Sequence, residues 1–437
     1  MIRRLIFPLA LALLAIGLFL QSNAADEDAN RPSLVASEPT PPRLSTPLLS
    51  ARRLPEHLQT PEANRRLVTS LNENINLLPE QSCFVVSEGG EIRYHHQPES
   101  QLIPASTQKL ITAVAALSEL GQDYKFTTQI LAQSAPIDGV IDGNVWLVGG
   151  GDPLVMTSDY AQRYLDDLAY TDLEILADQI INLGVNTITG AVVGDESYFD
   201  EIRWVESWPE RFRAGAQNQA GPLSALSVND GFMNWDAENT ANSLNTPAVE
   251  PAQFAAALFD DLLEERSVRI FQSAYAETKP VDAVIQLGVI ESPTISEIVK
   301  QMLQTSDNTT AEILVKAISA DSGVAGSTSS GNQIIQQVVE TLTGMTDSTV
   351  VADGSGLDPS NRTTCSVLVD LLEMESFSAD LYDGLAVAGE SGTLRNRLTG
   401  SSAEGRLLAK TGTLNDSKSL AGVVHTLEGR TLIFALI

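Results

Sequence analysis

Pro104-Ala105-Ser106-Thr107-Gln108-Lys109 runs directly into a helical pattern. From Gln108 to Leu120 the residues Leu110, Ala113, Val114 and Leu117 recur on one face, and Gly121 stops the run. Ser106 and Lys109 stand three residues apart, so at a helix start their side chains share a face and the amine reaches the hydroxyl. A serine hydroxyl is a poor nucleophile until a base removes its proton. The helix N-terminus adds positive potential where an oxyanion would develop. Taken alone the pattern is weak. Ser-x-x-Lys is frequent by chance, and an N-capping serine beside an exposed lysine looks the same.

Two later motifs change its weight. Ser306-Asp307-Asn308 closes one helical stretch and opens another inside Thr294 to Ile318. Lys410-Thr411-Gly412-Thr413 lies in a strand-like context, where glycine permits close approach of a substrate strand. Singly, the first reads as a helix cap and the second as a strand end. In this order the three form the set shared by class A β-lactamases and penicillin-binding proteins.

Other chemistries find no support. Four histidines are present, His57, His95, His96 and His425, and none accompanies a Gly-x-Ser-x-Gly elbow or a Ser/His/Asp arrangement. His95 and His96 are adjacent and would point to opposite faces of a strand, which is poor geometry for one metal. Val148-Gly149-Gly150-Gly151-Asp152-Pro153 has no following Lys-Ser/Thr and is no phosphate loop. No metal and no cofactor are expected. The formal charge is −29, so no basic patch is available to release phosphate counterions. Nucleic acid is excluded as a partner, and membrane association is expected to be peripheral at most.

The chain divides by texture. Residues 1–24 pair Arg3-Arg4 with the apolar run Leu5 to Leu20 and a small-residue site at Ser22-Asn23-Ala24, the pattern of a cleaved secretory signal. A retained anchor is the alternative. Residues 25–60 are rich in Pro, Ser and charge and read as a flexible linker. Residues 61–122 carry a helix and a hairpin around Gly89-Gly90. Residues 123–291 mix short β-like runs with turns and hold Trp204, Trp208 and Trp235; they read as one or two inserted β-rich domains. Residues 292–437 return to helices and end in two strand-like runs, Ser419 to His425 and Thr431 to Ile437. Export permits a disulfide, but Cys83 and Cys365 are few, distant and in apolar surroundings, so buried free thiols are expected.

With these residues quoted, the chain resembles the D-alanyl-D-alanine carboxypeptidase/endopeptidase group, the class C low-molecular-mass penicillin-binding proteins. Gly149 to Pro153, Gly221 to Asp230, Asp353-Gly354-Ser355-Gly356-Leu357 and Gly392-Thr393-Leu394 resemble stretches typical of it. So does the long gap between Ser106 and Ser306. The resemblance implies a mixed α/β (α+β) fold: a transpeptidase-like domain with an antiparallel sheet and helices on both sides, interrupted by the insertion. It implies that Ser106 is the acylated nucleophile, Lys109 its general base, Ser306 a proton relay and Asn308 the holder of the acyl-side amide. Lys410, Thr411, Gly412 and Thr413 would form the substrate-binding strand. Lys410 and Thr411 would receive the terminal carboxylate, and the N–H groups of Ser106 and Thr413 would make the oxyanion hole. Burial, and Lys410 as a like charge, are expected to depress the Lys109 amine. The implied partners are peptidoglycan stem peptides and β-lactam antibiotics, and the implied location is periplasmic or extracytoplasmic. Family members normally continue past Phe434-Ala435-Leu436-Ile437 into a further helix on the sheet, so this sequence is either a fragment or a member without that helix. A β-lactamase-like hydrolase and an inactive peptidoglycan-binding homologue are the rival readings.

Overall fold

The computed structural model describes residues 56–162, 168–213, 218–235 and 245–437. The expected signal segment 1–24 and the expected linker up to residue 55 lie outside the described residues. A helix already opens at Glu56 and runs to Asn74, earlier than the expected start at Pro61. The chain separates into two units, residues up to Thr69 and Ser70–Ile437.

The frame of the second unit is a six-stranded antiparallel sheet in the order Ala386–Val387, Leu407–Thr413, Lys418–His425, Thr431–Leu436, Phe84–Glu88, Glu91–His96. The first hairpin turns at Gly89-Gly90, both with positive φ, as a tight turn demands. Phe84 pairs with Leu436 and Val86 with Phe434, so segments far apart in sequence complete one sheet. Ile433 and Ala435 face the main core. Leu432 and Phe434 alternate with them and are also buried, at 7% and 8% exposure. That alternate face is therefore covered at these two positions.

Helices Ile295–Thr305, Asn308–Asp321, Thr328–Thr343 and Cys365–Glu373 surround the helix Gln108–Glu119. Every residue of that helix from Gln108 to Leu117 is buried. It is a central core helix, not the one-faced helix its Leu/Ala/Val spacing suggests. The expected mixed α/β architecture with an antiparallel sheet is what the chain adopts. The reading of 123–291 as strands and turns is incomplete. Beside a five-stranded mixed sheet with parallel and antiparallel pairs, the stretch carries helices Leu173–Asn182 and Pro251–Glu265. Leu176, Ala177, Ala255, Phe259 and Leu263 from these helices share a second core with Ile130 and Leu147.

The expectation of free thiols is corrected: Cys83 and Cys365 form a disulfide. Cys83 precedes the first strand and Cys365 begins the helix packed on that strand, an adjacency hidden by a separation of 282 residues. Closing so long a loop restricts the unfolded chain, so reduction should lower unfolding stability by about 2–5 kcal/mol. Urea unfolding with and without reductant measures this, and coincident midpoints would contradict it.

Candidate active site

Ser106 sits in a 3-10 turn, Ala105–Thr107, that leads into the buried helix. Ala105 holds φ +47, a left-handed conformation that a residue with a Cβ adopts only when its surroundings enforce it. The enforcing contact is Gly356: a side chain there would lie 1.9 Å from the Ala105 carbonyl oxygen. The loop Asp353–Leu357 therefore clamps the turn carrying the nucleophile.

Lys109 projects from the first turn of the helix and is fully buried. Its Nζ lies 2.7 Å from Asn308 Oδ1, 2.7 Å from the Ser355 carbonyl oxygen and 3.3 Å from Ser106 Oγ. Three acceptors match the three N–H bonds of an ammonium. After one proton leaves, two donors suffice for Asn308 and Ser355, and the lone pair faces Ser106. Burial pushes the amine down to about 8, although the carboxylates of Asp353, Glu312 and Asp307 pull it back up.

The second motif does three jobs in three residues. Helix Ile295–Thr305 starts with a reciprocal Thr294–Glu297 cap and ends where Ser306 turns left-handed, φ 64. Asp307 then caps the next helix by accepting from Thr310 N at 3.1 Å. Asn308 opens that helix, with Oδ1 on Lys109 and Nδ2 donating to the Gln219 carbonyl at 2.7 Å. One Asn308 amide proton is thus committed to Gln219, and only the other can serve a substrate carbonyl.

Lys410, on the strand Leu407–Thr413, donates to Ser306 Oγ at 2.8 Å and to the Thr411 carbonyl at 3.1 Å. Burial, and then the charge of Lys109, depress its amine well below the usual lysine range. The expected burial is what lowers Lys109; the expected contribution of Lys410 to it is not found, and the repulsion instead depresses Lys410, because the acids gather on the Lys109 side. Gly412 is where the strand touches the nucleophile turn. A side chain there would stand 2.1 Å from Ser419 Oγ, 2.8 Å from Pro104 O and 2.9 Å from Ser106 N. Thr411 Oγ donates to Thr393 Oγ at 2.9 Å. Direct contacts thus link Ser106, Lys109 and Asn308, and a second pair joins Lys410 to Ser306; Gly412 abuts the Ser106 turn, and Thr411 and Thr413 flank it on the strand.

Sequence reasoning missed the layer behind Lys109. Glu312, one turn after Asn308, is buried and accepts from Ser355 N at 2.7 Å and Gly354 N at 3.3 Å. It thereby holds the backbone that leads into Ser355, while the Gly356 N–H, in the same peptide unit as the Ser355 carbonyl, donates to Asp353 Oδ1 at 2.7 Å and aims that carbonyl toward Lys109. Burial and the neighbouring Asp353 raise Glu312 to about 8. Asp353 is also raised by burial, but Trp208 Nε1, Asn361 Nδ2 and the N–H groups of Gly356 and Asp358 all donate to it. The i,i+4 spacing of Asn308 and Glu312 was the available signal.

The D-Ala-D-Ala carboxypeptidase 3 (S13) family matches residues 78–250 and 236–437. A D-alanyl-D-alanine carboxypeptidase of Actinomadura sp. (strain R39) is 30% identical over 90% of this chain and 85% of its own. Carboxypeptidase DacB of Mycolicibacterium smegmatis is 26% identical over 92% and 86%. Among solved structures, penicillin binding protein 4 (dacB) from Haemophilus influenzae has the same fold, with TM-score 0.69 over 84% of this chain and 92% of that one, at 21% identity.

Proposed function

The chain belongs to the D-Ala-D-Ala carboxypeptidase 3 (S13) family, and from that premise we propose that it is an exported serine hydrolase cutting D-alanyl bonds in peptidoglycan stem peptides, as a carboxypeptidase with possible endopeptidase action. The observation that carries the reading is the Lys109 amine, held by Asn308 and Ser355 with its third direction on Ser106 Oγ.

The proposed steps are these. The substrate's terminal carboxylate enters beside Lys410 and Thr411, where it restores positive charge to an amine depressed by burial. Neutral Lys109 takes the Ser106 proton as Oγ attacks the carbonyl of the penultimate D-Ala. The N–H groups of Ser106 and Thr413 receive the oxyanion. As the C–N bond breaks, Ser306 gives its proton to the leaving D-Ala amine and takes one back from Lys410, to which it is bonded; water then attacks the acyl ester, and the proton held by Lys109 returns to Ser106 Oγ as it leaves. A β-lactam enters the same way and acylates Ser106. Glu312 does not favour a β-lactamase: it is buried behind Lys109 and bound to backbone N–H groups.

The test compares a D-Ala-D-Ala peptide with its C-terminal amide. Wild type should prefer the acid, and Thr411→Val should shrink that preference about 10-fold or more, the scale of a hydrogen bond to a charged group. An unchanged acid-to-amide ratio in Thr411→Val would remove Thr411 from recognition.

A further inference from the structure

Thr393 is absent from the machinery described so far, yet the fold presses it against the substrate-binding strand. Gly392-Thr393-Leu394 forms a 3-10 turn. Gly392 has φ +51, and a side chain there would lie 2.4 Å from the carbonyl oxygen of Gln304, in the last turn of the helix that ends at Ser306. Leu394 is buried. Ser391 Oγ accepts from Val387 N at 3.1 Å, tying the turn to the short strand paired with Leu407–Thr413. Glycine, buried leucine and serine anchor together bring Thr393 Oγ to 2.9 Å from Thr411 Oγ.

Two hydroxyls in contact hold two protons, and only one lies between them. Drawn with Thr411 as donor to Thr393, the pair can equally bond in the opposite sense, because each hydroxyl both donates and accepts. Resting on the assignment of Thr411 to the substrate's carboxylate, we propose that Thr393 is a positioning residue for carboxylate recognition. When a carboxylate arrives it selects the opposite sense. Thr393 donates to Thr411, and Thr411 directs its own proton onto the carboxylate beside Lys410. A hydroxyl that accepts a hydrogen bond is polarised into a better donor, so the two threonines act as one oriented donor.

The test measures kcat and KM for the peptide acid and the peptide amide in wild type, Thr393→Val, Thr393→Ala, Thr393→Ser and Thr411→Val. Thr393→Val keeps the volume and removes the hydroxyl. It should lower the acid-over-amide preference about 5- to 10-fold, chiefly through KM for the acid, with the amide within about twofold of wild type. Thr393→Ala should move the ratio the same way if valine disturbs the turn, and Thr393→Ser should restore it. If Thr411→Val loses the preference while Thr393→Val and Thr393→Ala keep it, Thr393 does not position Thr411 and the inference falls alone. If both Thr393 variants slow acid and amide equally, its role is packing and the inference also falls. If Thr411→Val keeps the preference, the carboxylate assignment fails first and takes the inference with it.

Discussion

Exchanging Lys109 for arginine should slow acylation by labelled penicillin about 10²- to 10⁴-fold, the usual contribution of a positioned general base. Arginine keeps the positive charge near Asp353, Glu312 and Asp307, but it cannot give up a proton at working pH. Charge alone is therefore separated from basicity. A pH profile sharpens the result. Acylation needs neutral Lys109, and burial brings that amine down to about 8. The wild-type rate constant should rise as pH climbs through that value, because the protonated, inactive form is lost. In Lys109→Arg the rising limb should vanish along with the rate. Near-normal acylation by the variant, or a surviving limb, would exclude Lys109 as the base.

Gly412→Ala is expected to rank second. Of the three atoms a side chain would meet, Ser419 Oγ can rotate away, but Pro104 O and Ser106 N are backbone of the nucleophile turn. Relief requires the strand to move off Ser106. A displacement near 1 Å in such a site costs about 100-fold in rate, and that is the loss expected for acylation. Adding Ser419→Ala removes only the side-chain contact, so the double variant should recover little. Full activity in Gly412→Ala would mean that the strand is not held against the turn as described.

How far the sequence revealed the site depends on whether its parts lie within one turn of each other. Ser106 with Lys109, and Ser306 with Asn308, are local pairs whose spacing states their geometry. Lys410-Thr411-Gly412-Thr413 became meaningful once the other two motifs stood before it. The supporting residues act across the chain and left weaker traces. Trp208 reaches Asp353 from the inserted region, and Gln219 occupies one proton of Asn308. No periodicity reports such contacts. The disulfide was missed for the same reason. The helix Leu173–Asn182 was missed for another: its Leu173, Leu176, Ala177 and Ile180 spacing is helical, but it is only 10 residues long, among short strands and turns. The all-round burial of Gln108–Leu117 was also hidden, because Gln108, Lys109 and Thr112 are polar and their cover comes from distant segments, the helix Asn308–Asp321 and the Asp353–Leu357 loop.

The central claim is that Ser106 is the residue acylated. Purified protein treated with penicillin and digested should show the added mass on the peptide containing Ser106, and Ser106→Ala should show no adduct while keeping its folded circular dichroism. An adduct on a different serine, or undiminished labelling of folded Ser106→Ala, would contradict the account.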